Sequence, residues 1–149
     1  MRTSLLATAV ACLALAGCIT STPAVRREVT TVKVLPAKKD QVWENAERFF
    51  LVENLKPTVV NKAGGVISTG PVMTVAQVDG LDCGSYPGGY VNKTTMNVSI
   101  LLQEVPEGTR AEVKVEGAMR KVGTYGIPTD YPCYTRGLLE SRAFEILGR

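Results

Sequence analysis

The chain has 149 residues, with 17 Lys and Arg against 14 Asp and Glu, and it contains no histidine. The lack of histidine excludes Ser-His-Asp triads, histidine acid–base chemistry and histidine metal ligands, and the small net charge gives no basis for nucleic-acid binding. The length fits one ordinary domain, and 45% hydrophobic with 21% charged residues is typical of a globular protein. No catalytic residue, metal site or cofactor is predicted.

The first 18 residues have the pattern of a bacterial lipoprotein signal peptide. Arg2 precedes an apolar run over residues 5–16, which is too short to span a hydrocarbon core but has the length of a signal-peptide h-region. The run ends in Leu15-Ala16-Gly17-Cys18, which resembles a lipobox, with small residues before the cut and a thiol that can carry diacylglycerol. Residues 1–17 are therefore expected to be a signal peptide and Cys18 the lipidated first residue; ordinary secretory cleavage after Gly17 is the alternative.

The resemblance to lipoproteins also implies a location. Acyl chains on Cys18, palmitate among them, would give a stable membrane anchor. Ile19 follows the cysteine where an aspartate would retain such a protein at the inner membrane, so the family's sorting rule implies the periplasmic face of the outer membrane. Residues 18–28 are then a short lipidated tether, which reaches at most about 35 Å, and residues 29–149 form a single periplasmic domain.

The remaining cysteines support export. Cys12 lies in the apolar run and would leave with the signal peptide, and Cys18 would be lipidated. Cys83 and Cys133 are left as one pair, which is expected to form a disulfide in an oxidising compartment. Two unrelated buried thiols are the alternative.

The first half of the domain predicts a strand over residues 29–35 and then a helix from Asp40 to the residues before Pro57. Trp43 flanks the apolar face of this helix, either as a core residue or as part of a ligand groove, and Asn45 is expected to face solvent. Two β-rich runs, 57–61 and 66–69, surround Gly64-Gly65 and predict a hairpin. Residues 72–78 predict a further strand.

The second half is dominated by one alternating pattern. Residues 96–103 and 110–117 alternate apolar and polar side chains around a turn at 106–109, which predicts an antiparallel hairpin with one buried face. Residues 79–92 and 121–134 are rich in turn-forming residues and are predicted to be loops. A terminal helix follows, with an apolar stripe formed by Leu138, Leu139, Ser141, Ala143, Ile146 and Leu147.

The two predicted loops hold four tyrosines, and a disulfide would tie these loops together. Tyr86 and Tyr90 lie in the first loop, Tyr125 and Tyr131 in the second. Tyrosines in loops bury contact area at a low entropic cost, so they and Trp43 are candidate contacts with a partner or ligand. Tyrosines that only cover the disulfide are the alternative.

These elements predict an α+β fold in which a long helix and a C-terminal helix pack on one face of an antiparallel sheet. The order is β-α-β-β-β-β-α, with residues 72–78 as an additional strand, and it is similar to the helix-grip fold. The stretch Lys38-Lys39-Asp40-Gln41-Val42-Trp43, followed by runs at 57–60 and 65–67, resembles the start of BamC-type domains, as the strand–turn–strand around Gly108-Thr109-Arg110 resembles their later part. BamC is an outer-membrane lipoprotein of the β-barrel assembly machine, so the resemblance implies a single helix-grip module in the envelope.

Three functions follow as hypotheses. The first is a non-enzymatic envelope lipoprotein that acts as a structural or interaction module at the outer membrane, with an envelope protein as partner, for example as an accessory of an assembly factor. The second is a lipoprotein that binds a lipid or another small hydrophobic ligand in a groove between the Trp43 helix and the sheet. The third is an enzyme in which Asp79, Asp82 and Asp130 pair as acid and base, about 5 to 9.5 Å apart. Asp79 and Asp82 lack the spacing of an EF-hand calcium site and are interpreted as turn residues.

Overall fold

The structure, a computed structural model, describes residues 20–74 and 80–149. Its elements, in chain order, are β1 (Val32–Leu35), α1 (Lys39–Val52), β2 (Val59–Asn61), β3 (Val66–Ser68), β4 (Val72–Thr74), β5 (Leu81–Asp82), β6 (Tyr90–Val105), β7 (Gly108–Val122), β8 (Pro128–Thr135) and α2 (Leu138–Leu147). The predicted α+β class is confirmed. The signal peptide and Cys18 lie outside the described residues. Within those residues, neither helix has the length and hydrophobicity needed to cross a bilayer.

The hairpin of β6 and β7 forms the centre of the sheet, as the alternating pattern predicts. The two strands pair from Tyr90↔Val122 to Val105↔Gly108, with one register shift between Val91 and Lys93. One face of the hairpin is buried along most of its length, through Met96, Val98, Ile100, Leu102, Ala111, Val113 and Val115. At 16 and 15 residues, the strands are longer than predicted, because β6 already begins inside the stretch 79–92 that is rich in turn residues.

Each long strand carries two short partners along its outer edge. β3 and β4 both pair with β6, and β2 continues the sheet beyond β3. β1 pairs with residues 109–112 of β7 and β8 pairs with residues 117–122, so residues 113–116 have no strand partner on that edge within the described residues. The edge between β1 and β8 is therefore open over these four residues, of which Val113 donates a hydrogen bond to the Thr31 carbonyl before β1.

The predicted loop over residues 121–134 is wrong, because residues 128–134 belong to β8 and residues 121–122 end β7. Pro128 stands opposite Val122 of β7, and Pro132 stands opposite Ala118. Two prolines are unusual in a strand, so the sequence predicts a loop here. Proline is tolerated in a strand that lies at an edge, and within residues 20–74 and 80–149 the outer side of β8 is paired only where β5 meets Tyr134 and Thr135. β5 itself lies in the other predicted loop and was also missed.

The other strand boundaries are close to the predictions. The β2–β3 hairpin is confirmed, whereas β1 begins at Val32 rather than at residue 29. The strand predicted over residues 72–78 is confirmed for Val72–Thr74, and its remaining residues lie outside the described part of the chain.

The helices pack side by side on the buried face of the central hairpin. α1 ends at Val52, earlier than Pro57 would require, and Asn54 follows with a positive φ of 53°. Asn45 is buried rather than exposed, because α1 packs against α2, and its side-chain amide donates a 3.4 Å hydrogen bond to the Leu147 carbonyl at the end of α2. The prediction for the first helix was therefore right about its apolar face and wrong about Asn45.

The apolar stripe of α2 differs from the predicted one at its beginning. Leu138 and Ser141 are exposed, while Phe144 and Glu140 are buried. The helix starts after Gly137, which has a φ of +84°, and this start turns Glu140 towards the interior. Ala143, Ile146 and Leu147 are buried as predicted.

Candidate functional site

A disulfide joins Cys83 to Cys133, as predicted. It connects the residue that follows β5 to the middle of β8, and both cysteines are buried in the core. Gly117 of β7 stands opposite Cys133. A Cβ atom at Gly117 would lie 3.2 Å from the Cys133 Cβ and 2.6 Å from Leu81 Cδ1, so glycine leaves room for the disulfide and Leu81 to pack on the sheet.

Two of the four candidate tyrosines stack beside this disulfide. The ring centroids of Tyr86 and Tyr131 are 3.9 Å apart with an interplanar angle of 25°, and both rings pack against the core as half-buried residues. The Tyr86 carbonyl also accepts a hydrogen bond from Lys121 Nζ on β7. These two tyrosines have the surroundings expected of residues that cover the disulfide.

The other two tyrosines are exposed at one end of the sheet. Tyr90 begins β6 and is 63% exposed, while Tyr125 lies in the turn between β7 and β8 and is 92% exposed. Val91 and Ile127 are exposed beside them, and the Tyr90↔Val122 pair holds the start of β6 next to that turn. We refer to Tyr90, Val91, Tyr125 and Ile127 as the tyrosine end. Clusters of exposed apolar side chains often mark interaction sites.

Trp43, the fifth candidate contact, is a core residue. Its side chain is 2% exposed, and the neighbouring Phe49 and Phe50 of α1 are buried as well. The space between α1 and the sheet is thus filled by large side chains. Of the two alternatives for Trp43, the burial supports the core residue, and it leaves little of the side chain for contact with a partner at the surface.

A groove of about 1070 Å³ lies elsewhere, on the open edge of β7. One wall is the extended segment of residues 26–31, the other is the end of β8, and residues 114–117 of β7 lie between them. Charged side chains of both signs line it: Arg26, Arg27, Glu28, Lys114, Glu116 and Glu140. The groove is therefore suited to a polar or zwitterionic ligand more than to a purely apolar one.

Glu140 is the feature of this groove that sequence reasoning missed. The residue is completely buried. Its Oε2 accepts a 2.8 Å hydrogen bond from the Thr135 hydroxyl, whose oxygen in turn accepts from the Gly137 N–H at 3.0 Å. Its Oε1 has no hydrogen-bond partner among the described residues. The first turn of a helix favours a negative side chain, and a buried oxygen without a donor costs free energy until one is supplied.

The carboxylates considered for acid–base chemistry do not form a pair. Asp130 is held by two hydrogen bonds from Arg120, at 2.7 and 2.6 Å, and these lower the pKa of its carboxyl. The Gly84 N–H donates to Asp82 at 3.0 Å and lowers the pKa of that carboxyl. Asp82 stands opposite Tyr134, four residues along β8 from Asp130, which separates the two by about 13 Å. Asp79 lies outside the described residues.

Comparison with known proteins adds no family. No protein-family model matches the chain, and no curated protein matches it significantly. The resemblance to BamC-type domains stays a prediction from the sequence. Among the described residues there is no group of three or more acidic or cysteine side chains that could hold a metal ion.

Proposed function

We propose that this protein is a non-enzymatic lipoprotein, anchored through Cys18 in the outer membrane with its domain in the periplasm, that acts as an interaction module for an envelope protein. The Cys83–Cys133 disulfide is the observation that carries the proposal. Disulfides persist in oxidising compartments such as the periplasm. Because Cys12 belongs to the apolar run, this pairing leaves Cys18 in the lipobox-like motif as the cysteine for lipidation.

The carboxylates support a role without catalysis. A general acid needs a carboxyl whose pKa is raised towards the working pH. Asp82 and Asp130 instead have lowered pKa values because of their hydrogen bonds to Gly84 and Arg120. The BamC-like pattern of the sequence favours one specific role within this proposal, that of an accessory to an assembly factor.

Metabolic labelling with palmitate tests the anchor. We expect label on the wild-type protein and on a Cys12→Ala variant, and none on a Cys18→Ala variant. We also expect wild type to fractionate with the outer membrane and to recover defined envelope proteins after crosslinking and pull-down. Label that persists in Cys18→Ala would contradict the anchor, and a pull-down without envelope proteins would contradict the interaction role.

Binding of a small ligand is the second candidate function, and the groove above Glu140 favours it. With the space between α1 and the sheet filled, the ligand would bind on the open edge of β7. Glu140 Oε1 suits a cationic donor such as a primary ammonium, and Arg26 and Arg27 on the wall suit an anionic group. A headgroup such as phosphoethanolamine combines both.

A titration followed by amide chemical shifts tests this second function. Phosphoethanolamine is expected to shift the amide signals of Val115, Thr135 and Gly137, and inorganic phosphate to shift them less. A Glu140→Gln variant, which keeps the size of the side chain and removes its charge, is expected to lose the difference between the two probes. Equal responses of wild type and variant would contradict the ligand site.

A further inference from the structure

We propose that the tyrosine end lies against the bilayer in the anchored protein, with Tyr125 and Ile127 in the headgroup region. This inference rests on the proposed anchor at Cys18 and adds an orientation and a second membrane contact to it. It follows from where the chain enters the domain, how far Cys18 can be from that point, and which side chains are exposed there.

The entry segment runs towards the tyrosine end. The Thr31 carbonyl accepts a 2.8 Å hydrogen bond from the Val113 N–H in the middle of β7. Nine residues earlier, Thr22 exchanges two 2.7 Å backbone hydrogen bonds with Ser85. Ser85 precedes Tyr86, whose carbonyl is bonded by Lys121 near the far end of β7. From Thr31 back to Thr22, the chain therefore advances along β7 from Val113 to the level of Lys121.

The length of the tether keeps Cys18 at this end. Thr22 follows Cys18 by four positions, and a chain of that length spans at most about 14 Å even when fully extended. Lys121 is followed directly by Val122, the partner of Tyr90. The opposite turn begins at Gly108, about 44 Å away along β7. A lipid on Cys18 therefore brings the tyrosine end to the membrane and keeps the opposite turn away from it.

The side chains of the two ends differ in the way this orientation requires. Tyrosine places an apolar ring and a polar hydroxyl in the interfacial region of a bilayer, and Tyr125 and Ile127 are both exposed in one turn. Lys93, Arg120 and Lys121 lie near this end, where Asp130 pairs with Arg120, and the two lysines suit anionic headgroups. The opposite end carries exposed charges of both signs, Glu104, Glu107 and Lys38, and among the described residues it has no exposed aromatic side chain.

Fluorescence quenching by brominated lipids tests the orientation. The lipidated protein is reconstituted in phosphatidylglycerol–phosphatidylcholine vesicles whose acyl chains carry bromine, as a Tyr125→Trp variant and as a matched Glu107→Trp variant. Both positions are exposed turn residues, and wild type supplies the background from buried Trp43. We expect the added fluorescence of Tyr125→Trp to be quenched at least twofold and that of Glu107→Trp to be unchanged. Equal quenching, or none in Tyr125→Trp, would overturn the inference.

A second comparison separates this inference from the proposed anchor. Mass spectrometry of the purified protein shows whether Cys18 carries lipid, and its absence contradicts the proposed function alone. In that case the Cys18 thiol is coupled to vesicles through a maleimide lipid, and the same two variants are compared. An Ile127→Asp variant is expected to reduce the quenching in Tyr125→Trp, since a charge in the headgroup region opposes insertion; unchanged quenching would argue against the contact.

Discussion

Thr135 donates the hydrogen bond that satisfies one oxygen of the buried Glu140 carboxylate, at 2.8 Å. A Thr135→Val substitution keeps the shape of the side chain and removes this donor, so Oε2 loses its partner and both oxygens of the buried carboxylate are then without one. We expect the free energy of unfolding to fall by about 1–3 kcal/mol. Urea denaturation measures the effect, and Thr129→Val, at an exposed position of the same strand, is the control. Equal losses in the two variants would contradict the role of this bond.

The disulfide is expected to supply a large part of the stability. The Cys83–Cys133 bond spans a sequence separation of 50 residues, and loop-closure entropy for that length corresponds to about 4 kcal/mol. A Cys83→Ser/Cys133→Ser double variant should show this loss in urea denaturation. Reductant should destabilise wild type and leave the double variant unchanged. An unchanged urea midpoint of wild type after its disulfide has been reduced would contradict the prediction.

Trp43 and Leu51 stand on the same helix and test the assignment of Trp43 to the core. Trp43 is buried, whereas Leu51 is 80% exposed. We expect Trp43→Ala to cost about 3–5 kcal/mol, because it removes a large buried side chain and leaves a cavity. Leu51→Ala is expected to change stability by less than about 0.5 kcal/mol. Thermal unfolding followed by circular dichroism separates the two variants. A loss of stability in Trp43→Ala as small as that in Leu51→Ala would contradict the assignment of Trp43 to the core.

The ion pair of Arg120 and Asp130 predicts a dependence of stability on pH. Arg120 lowers the pKa of the Asp130 carboxyl below its ordinary value of 3.8. The folded state therefore holds the charged form more firmly than the unfolded state does. The resulting stability is present above pH 3.8 and is lost as the pH falls through the lower pKa of the folded protein.

An Asp130→Asn variant tests this dependence. Its melting temperature is expected to lie below that of wild type at pH 7, with a smaller difference at pH 3. Asp40→Asn, which removes a carboxylate 3.4 Å from Lys62 and 84% exposed, serves as the control. A wild-type advantage of the same size at both pH values would contradict the linkage.

The parts of the fold that the sequence predicts are those in which one physical signal dominates. The β6–β7 hairpin has a long alternation of apolar and polar residues, and α1 has an apolar face that repeats with helical spacing. The disulfide follows from the cysteine count, once the lipobox-like motif and the apolar run account for Cys18 and Cys12. In the hairpin and the helix, burial acts on many residues at once and outweighs the secondary-structure preference of any single residue.

The missed parts depend on contacts between distant residues. β8 contains Pro128 and Pro132 and forms because β7 offers an edge, which no local pattern reveals. In the sequence, Glu140 has the character of an exposed helix residue. Its burial depends on Gly137, which sets the start of α2, and on Thr135, which supplies a hydrogen-bond donor. The four tyrosines likewise divide into two pairs because β6 is longer than the alternating pattern of residues 96–103. The strand begins at Tyr90 and so separates that residue from Tyr86.

The pairing of β1 with β7 has a consequence for biosynthesis. Val32 stands opposite Glu112, so the first strand has no partner until about 80 further residues have been made. A chain that crosses a membrane with its amino end first thus presents this strand unpaired for most of its passage. Non-local pairings of this kind slow folding, and under the export that we propose this delay would keep the chain unfolded until it is translocated.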